Sequence, residues 1–234
     1  IKGIFLYVDN ITAGSATIAE IRNALEHFKD SGKFIISYGN YYSQKAYYLA
    51  TVADKLYVNP EGIVGMQGLT SQVMFFKKTL DKIGVEPQVI RHGKYKSAVE
   101  PFLDNKMSEA NREQISAYLG SLWNEILMKV GPSRNVEINE LQRIADEMLL
   151  VDVDDVVEYN LADGARYYDQ VIDELKSKVG LADDKKLDMV TLGDYTHAPK
   201  PQKDKLISKM DKIAVVYAQG QIGAGKGSVS EIGT

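Results

Sequence analysis

Residues 2–8 read KGIFLYV, residues 16–31 read ATIAEIRNALEHFKDS, and residues 33–37 read KFIIS. The first and third stretches are short, apolar and rich in β-branched or aromatic residues, so they read as buried strands. The stretch between them places Ile18, Ile21, Ala24, Leu25 and Phe28 on one helical face. Thr17 and Glu20 have the spacing of a capping box, and Gly32 supplies the stop. Strand, helix and strand in this order predict a parallel pair joined by a right-handed crossover.

The same alternation continues outward. Residues 43–51 read as a short helix and 55–58 (KLYV) as a strand closed by the turn Asn59-Pro60-Glu61-Gly62. A glycine-containing bend at 63–68 is followed by a helix at 75–83 and a strand at 87–91. The class is therefore α/β. Beyond residue 96 helices dominate. A long one is capped by Ser108 and runs to Lys129, with Ile115, Leu119, Leu122, Ile126 and Met128 towards a core. Others fall at about 139–149, 153–159 and 168–179. Residues 180–205 read as a polar linker around a short strand at 189–192, and 212–218 (KIAVVYA) open a further strand.

Composition excludes several function classes. The chain has 234 residues, no cysteine and a net charge of -4. Thiol catalysis, thiolate metal sites and disulfides are ruled out. An acidic balance without a basic block argues against nucleic acid as partner. His27, His92 and His197 lie far apart and offer no zinc-ligand spacing, so no metal and no cofactor is expected. No apolar run reaches the length of a membrane span. The chain opens on Ile1, inside a strand, and stops at Thr234 in a glycine-rich stretch. Both ends read as cut, which leaves room for a membrane anchor or leader upstream.

Residues 91–102 read RHGKYKSAVEPF and carry the chemistry. They leave the expected strand at 87–91, cross Gly93 and present Lys96 on a connection, where α/β folds place their sites. A lysine acts as general base only when burial disfavours its ammonium form. The neutral amine then takes the proton of a serine hydroxyl. From local sequence alone, Lys96 followed by Ser97 is better read as a solvated pair.

Other features have competing readings. Ser43 is a nucleophile at a helix start or an N-cap, and the missing Gly-Gly after it favours the cap. Ser97 is a contact for the lysine amine or the substrate, or a local cap. Residues 220–227 have the G-x-x-x-x-G-K spacing of a phosphate loop, but Gly227 stands where Ser or Thr would hold magnesium. A glycine connection is the better reading. The aromatics Tyr41-Tyr42, Tyr47-Tyr48 and Phe75-Phe76 suit an apolar peptide groove, but core or subunit contact is favoured. The acidic segment 152–158 reads as a capped helix start, since it lacks the spacing of a calcium loop.

The Lys96 segment resembles the G-x-Y-K-S-A-x-E-P-F element of the signal peptide peptidase A family, in its long two-domain, protease IV form. The likeness extends in order along the chain. Tyr42-Ser43-Gln44 with Tyr47-Tyr48-Leu49-Ala50 resembles a family helix, and Asp54 to Gly62 a strand and turn. Met107-Ser108, Trp123, Asn160-Leu161-Ala162-Asp163 and Ile213 to Ala218 follow. The resemblance implies Clp protease/crotonase-like βαβ units with an appended helical segment. Residues 1–200 would form the first repeat with its helical extension. Residues 201–234 would hold a linker and the start of a second repeat.

It also implies a serine endopeptidase that cleaves remnant signal peptides with a Ser/Lys dyad. Lys96 is the implied base, and the serine belongs to the second repeat, outside this chain. The implied partners are peptide substrate, further copies of the same chain, and the membrane through an anchor not present here. The implied location is the bacterial cytoplasmic membrane, with the catalytic part on the outer, periplasmic side. Ala13-Gly14-Ser15 stands near the family's oxyanion loop in degenerate form. A non-catalytic repeat that binds substrate or assembles an oligomer is the second reading. A crotonase-type acyl-CoA enzyme is the third, but no positioned carboxylate pair supports it.

Overall fold

The computed structural model describes residues 1–198 and the backbone of 221–223 and 231–233. The chain divides into a unit of Ile1–Leu187 and a unit of Asp188–Thr234.

In the first unit, β1 (Gly3–Tyr7), β2 (Phe34–Gly39), β3 (Lys55–Val58) and β4 (Gly164–Ala165) form one sheet in the order β1-β2-β3-β4. All neighbours are parallel: Phe5 lies opposite Ile36, Tyr38 opposite Tyr57, and Val58 opposite Ala165. The period of two decides the layers. On β2, Ile35 faces Val52, Ala53 and the Leu25 and Phe28 side chains of α1 (Ser15–Asp30). Ile36 and Tyr38 face Val171 and Leu175 of α8 (Tyr168–Val179). With both faces covered, β2 is buried along almost its whole length, as parallel strands require.

The larger core joins α2 (Gln44–Ala50) to α5 (Glu109–Arg134), α6 (Ile138–Asp146) and α7 (Val153–Glu158), through Tyr47, Leu127, Leu141, Ile144 and Val156. Two short helices, α3 (Lys77–Lys82) and α4 (Glu100–Leu103), flank the segment that bears Lys96.

Several elements depart from the sequence reading. Helix α1 starts at Ser15 with Gly14 at its N-cap, so Thr17 lies inside the first turn and the expected capping box is not made. Its fully buried residues are Ile18 and Arg22, Leu25 and Phe28 pack half-buried as expected, and Ile21 is 43% exposed. Arg22 turns inward because it finds acceptors there: the Tyr48 carbonyl, Thr51 Oγ1 at 2.9 Å and Ser133 Oγ at 2.6 Å. Glu26 pairs with its Nε at 3.3 Å.

Helix α5 runs past Lys129 to Arg134 with Pro132 inside it. The proline sits in the last turn, and Ser133 Oγ donates to the Lys129 carbonyl at 2.8 Å. Leu127 and Val130 face the core, and Met128 is 59% exposed. Asn135, left-handed at φ 53°, ends the helix.

Residues 87–91 form no strand. The place beside β3 is taken by β4, Pro87 has no N–H to donate, and Ile90 stands fully in solvent.

In the second unit, residues 189–191 form no strand either. Thr191 caps α9 (Leu192–His197), with its Oγ1 accepting from the Asp194 N–H at 3.1 Å. Local capping outcompetes an isolated strand there. β5 (Gln221–Gly223) pairs in parallel with β6 (Glu231–Gly233). The expected strand at 212–218 and most of the glycine connection at 220–227 lie outside the described residues.

Candidate active site

The Lys96 segment is an irregular strap across the start of α5. Gly93 takes φ 104°, which a side chain would strain, and turns the chain towards Lys96. Lys96 itself is exposed. Its carbonyl accepts from Arg91 Nη1 at 3.4 Å, and among the described residues no hydrogen bond or ion pair engages its amine. The burial that a lysine base needs is thus not supplied to Lys96 by the described residues. Ser97 is half-buried, and its carbonyl accepts from the Glu100 N–H at 3.0 Å, closing the turn into α4.

The strap is tied at several points. Tyr95 Oη donates to Glu113 Oε2 on α5 at 3.1 Å. Phe76 N–H donates to the Pro101 carbonyl at 2.6 Å, and the Phe76 and Phe102 rings stack at 5.9 Å. The buried tie is Glu100, only 2% exposed. Its Oε1 accepts from Ser108 Oγ at 2.6 Å, and its Oε2 accepts from Asn111 Nδ2 at 2.9 Å and from the Ser108 N–H at 3.4 Å. The Ser108 hydroxyl, Asn111, the Ser108 N–H and nearby Arg91 outweigh burial and hold the Glu100 carboxyl below its ordinary pKa. A cleft of about 570 Å³ opens beside these ties, lined by Arg91, Asp104, Asn105, Lys106, Met107 and Ser108.

Ser43 is the N-cap of α2: its Oγ accepts from the Ala46 N–H at 3.3 Å, and its own N–H donates to the Asp9 carbonyl at 2.9 Å. The cap reading holds. Among the described residues, no hydrogen bond joins Ser43 or Ser97 to the Lys96 amine.

Gln44, the next residue, has a role the sequence reading missed. Its Oε1 accepts from the Gln67 and Gly68 N–H groups at 3.0 and 3.1 Å, and its Nε2 donates to the Gly68 carbonyl at 3.1 Å. Tyr42 N–H donates to the Ile63 carbonyl at 2.8 Å, and Gly65 N–H donates to the Tyr42 carbonyl at 2.7 Å. The glycine bend at 63–68 is thereby fixed along the start of α2. A side chain at Gly65 would crowd the Gln44 N–H and the Tyr42 carbonyl, at 3.1 and 3.2 Å.

Tyr42, Tyr47 and Tyr48 are core, as favoured, whereas Phe76 is 38% exposed. Tyr42 Oη donates to the Tyr57 carbonyl at 3.1 Å and Tyr47 Oη to the Leu161 carbonyl at 2.7 Å. Burial raises the pKa of both phenols. Tyr41 remains 46% exposed. The acidic segment also follows its reading, with Asp152 and Asp155 forming a capping box at α7.

A parallel sheet covered by helices on both faces, with a lysine strap tied to the long helix, defines an α/β protein. The profile of Peptidase family S49 matches residues 27–182, and this family match fits a Clp protease/crotonase-like fold. The chain is 32% identical over 234 residues to "Serine protease SPPA, chloroplastic" of Arabidopsis thaliana, covering 100% of this chain and 34% of that protein. It is 33% identical over 232 residues to "Protease 4" of Haemophilus influenzae, covering 95% of this chain and 37% of the relative. It is 25% identical over 184 residues to the "Putative signal peptide peptidase SppA" of Enterococcus faecium, covering 78% of this chain and 53% of the relative. The chain belongs to peptidase family S49. It spans about a third of the length of the first two relatives.

Proposed function

We propose that this chain is the lysine-bearing part of a serine endopeptidase that cleaves remnant signal peptides at the membrane. The observation that carries the reading is Lys96, presented on a strap anchored to α5 within the K-S-A-V-E-P-F segment, in a chain of the S49 family. The nucleophilic serine is carried outside these 234 residues. Residues 201–234 hold a linker and the start of the second repeat.

The reaction follows from the groups. Covered by a segment or subunit that excludes water, the neutral Lys96 amine takes the serine proton as the hydroxyl oxygen attacks the peptide carbonyl. Backbone N–H donors receive the oxyanion. The resulting ammonium returns its proton to the departing amine, leaving an acyl-enzyme. Water, deprotonated by the same amine, releases the acid and restores the serine. No metal or cofactor takes part. The substrate is peptide rather than nucleic acid. The working enzyme is a homo-oligomer held at the bacterial cytoplasmic membrane by a segment outside this chain, with its catalytic part on the periplasmic side. Among the described residues, no helix is long and apolar enough to cross a membrane.

The exposed Lys96 amine also favours a second reading, a non-catalytic repeat that assembles the oligomer. Fluorophosphonate labelling of the full-length protein separates the two. The first expects one reactive serine whose labelling collapses in Lys96→Ala while assembly persists. Labelling at the wild-type rate in Lys96→Ala contradicts it. Loss of assembly together with labelling favours the second.

A further inference from the structure

We propose that Glu100 is the positioning residue for Lys96, locking the strap to the N-terminal turn of α5 so that the amine is presented from a fixed backbone. The inference rests on the reading of Lys96 as the base.

Glu100 is buried, whereas Tyr95, Lys96 and Ala98 around the strap are exposed. A carboxylate is withdrawn from water only where donors replace the solvent. Ser108 and Asn111 do so here. Ser108 is the N-cap of α5, so the carboxylate also sits at the positive end of a 26-residue helix. The Glu100 N–H bonds the Ser97 carbonyl, so a single turn separates the anchored side chain from Lys96. On the other flank, Tyr95 holds Glu113 in the same helix, and Arg91 reaches the Lys96 carbonyl. Lys96 is thereby bracketed by contacts that all refer to α5 or to the strap itself. The exposed side chain gains a defined origin without being buried among the described residues.

Glu100 touches neither substrate nor the reacting atoms, so its effect is read through Lys96. The test measures kcat and KM on a fluorogenic peptide, and amide exchange over residues 94–104, in the full-length protein. The variants are Glu100→Ala, Glu100→Gln, Asn111→Ala and Lys96→Ala. Misplacement of a base costs rate rather than binding, so Glu100→Ala lowers kcat about 100-fold with KM nearly unchanged. Glu100→Gln keeps the shape and one acceptor, and it recovers part of the rate. Exchange at 94–104 quickens in both, while the centre of α5 keeps its protection.

Wild-type kcat and wild-type exchange in a folded Glu100→Ala overturn the proposal. Where Glu100→Ala does not fold, wild-type kcat in both Glu100→Gln and Asn111→Ala overturns it equally. Lys96→Ala at wild-type kcat is a different result. It removes the base itself, and with it the object that Glu100 positions.

Discussion

Asp163 Oδ2 accepts a hydrogen bond from Arg134 Nη1 at 2.8 Å, tying the end of α5 to the strand β3. The same carboxylate accepts the Leu56 N–H at 2.9 Å and Lys55 Nζ at 3.1 Å. Asn160 completes the clasp: its carbonyl accepts from Arg134 Nε at 2.9 Å, and its Nδ2 donates to the Arg134 carbonyl at 2.6 Å. The Asn160-Leu161-Ala162-Asp163 element is therefore a structural clasp between sheet and helix.

Breaking one side of this clasp leaves the other charge without its partner. Arg134 is 7% exposed and Asp163 20%. Arg134→Met is expected to lower stability by roughly 3 kcal/mol, read from the urea midpoint. An unchanged midpoint would show that the pair contributes little.

The pH dependence has a definite sign. Burial works against the Asp163 carboxylate, but the Leu56 N–H, Arg134 and Lys55 prevail and hold its pKa below the ordinary value. Its contribution is full above the unfolded pKa of about 3.9 and is lost as pH falls through the folded value. Thermal unfolding across acid pH should show the loss in the wild type, and a shallower slope in Asp163→Asn. The Glu100 carboxyl, also held low, adds to the same acid limb.

Ser43→Ala tests the cap against the nucleophile. A cap loses about 1 kcal/mol of stability and leaves peptidase turnover of the full-length protein near wild type. Abolished turnover at unchanged stability would restore Ser43 as a nucleophile.

Gln44→Ala should free the bend that Gln44 holds. The Gln67 and Gly68 amides lose their side-chain acceptor, and their hydrogen exchange should quicken while β2 stays protected. Unchanged exchange at both amides would mean the bend is held by Tyr42 and Ile63 alone.

The sheet was legible where local pattern and tertiary context agree. KGIFLYV, KFIIS and KLYV each carry a continuous apolar run, and each lies in the parallel sheet. Residues 87–91 carry a similar local signal without a neighbour to complete the ladder, and strand formation needs that neighbour. Helix α1 had the right extent but a rotated face, because Arg22 is drawn in by Ser133, 111 residues away. The same distance problem hid Arg134, whose partners Asn160 and Asp163 lie 26 and 29 residues away. Glu100, by contrast, meets Ser108 and Asn111 only 8 and 11 residues on, and what the sequence did not show was its burial. Lys96 stands out only through its family motif, since an exposed lysine on a turn has no local signature of the role proposed for it.

The most direct measurement is steady-state kinetics of full-length Lys96→Ala beside a check of its oligomeric state. The account predicts intact assembly with kcat reduced by about 100- to 10,000-fold, the range of a lost general base. Wild-type kcat in a correctly assembled Lys96→Ala protein would contradict it and send the search for the base to another residue.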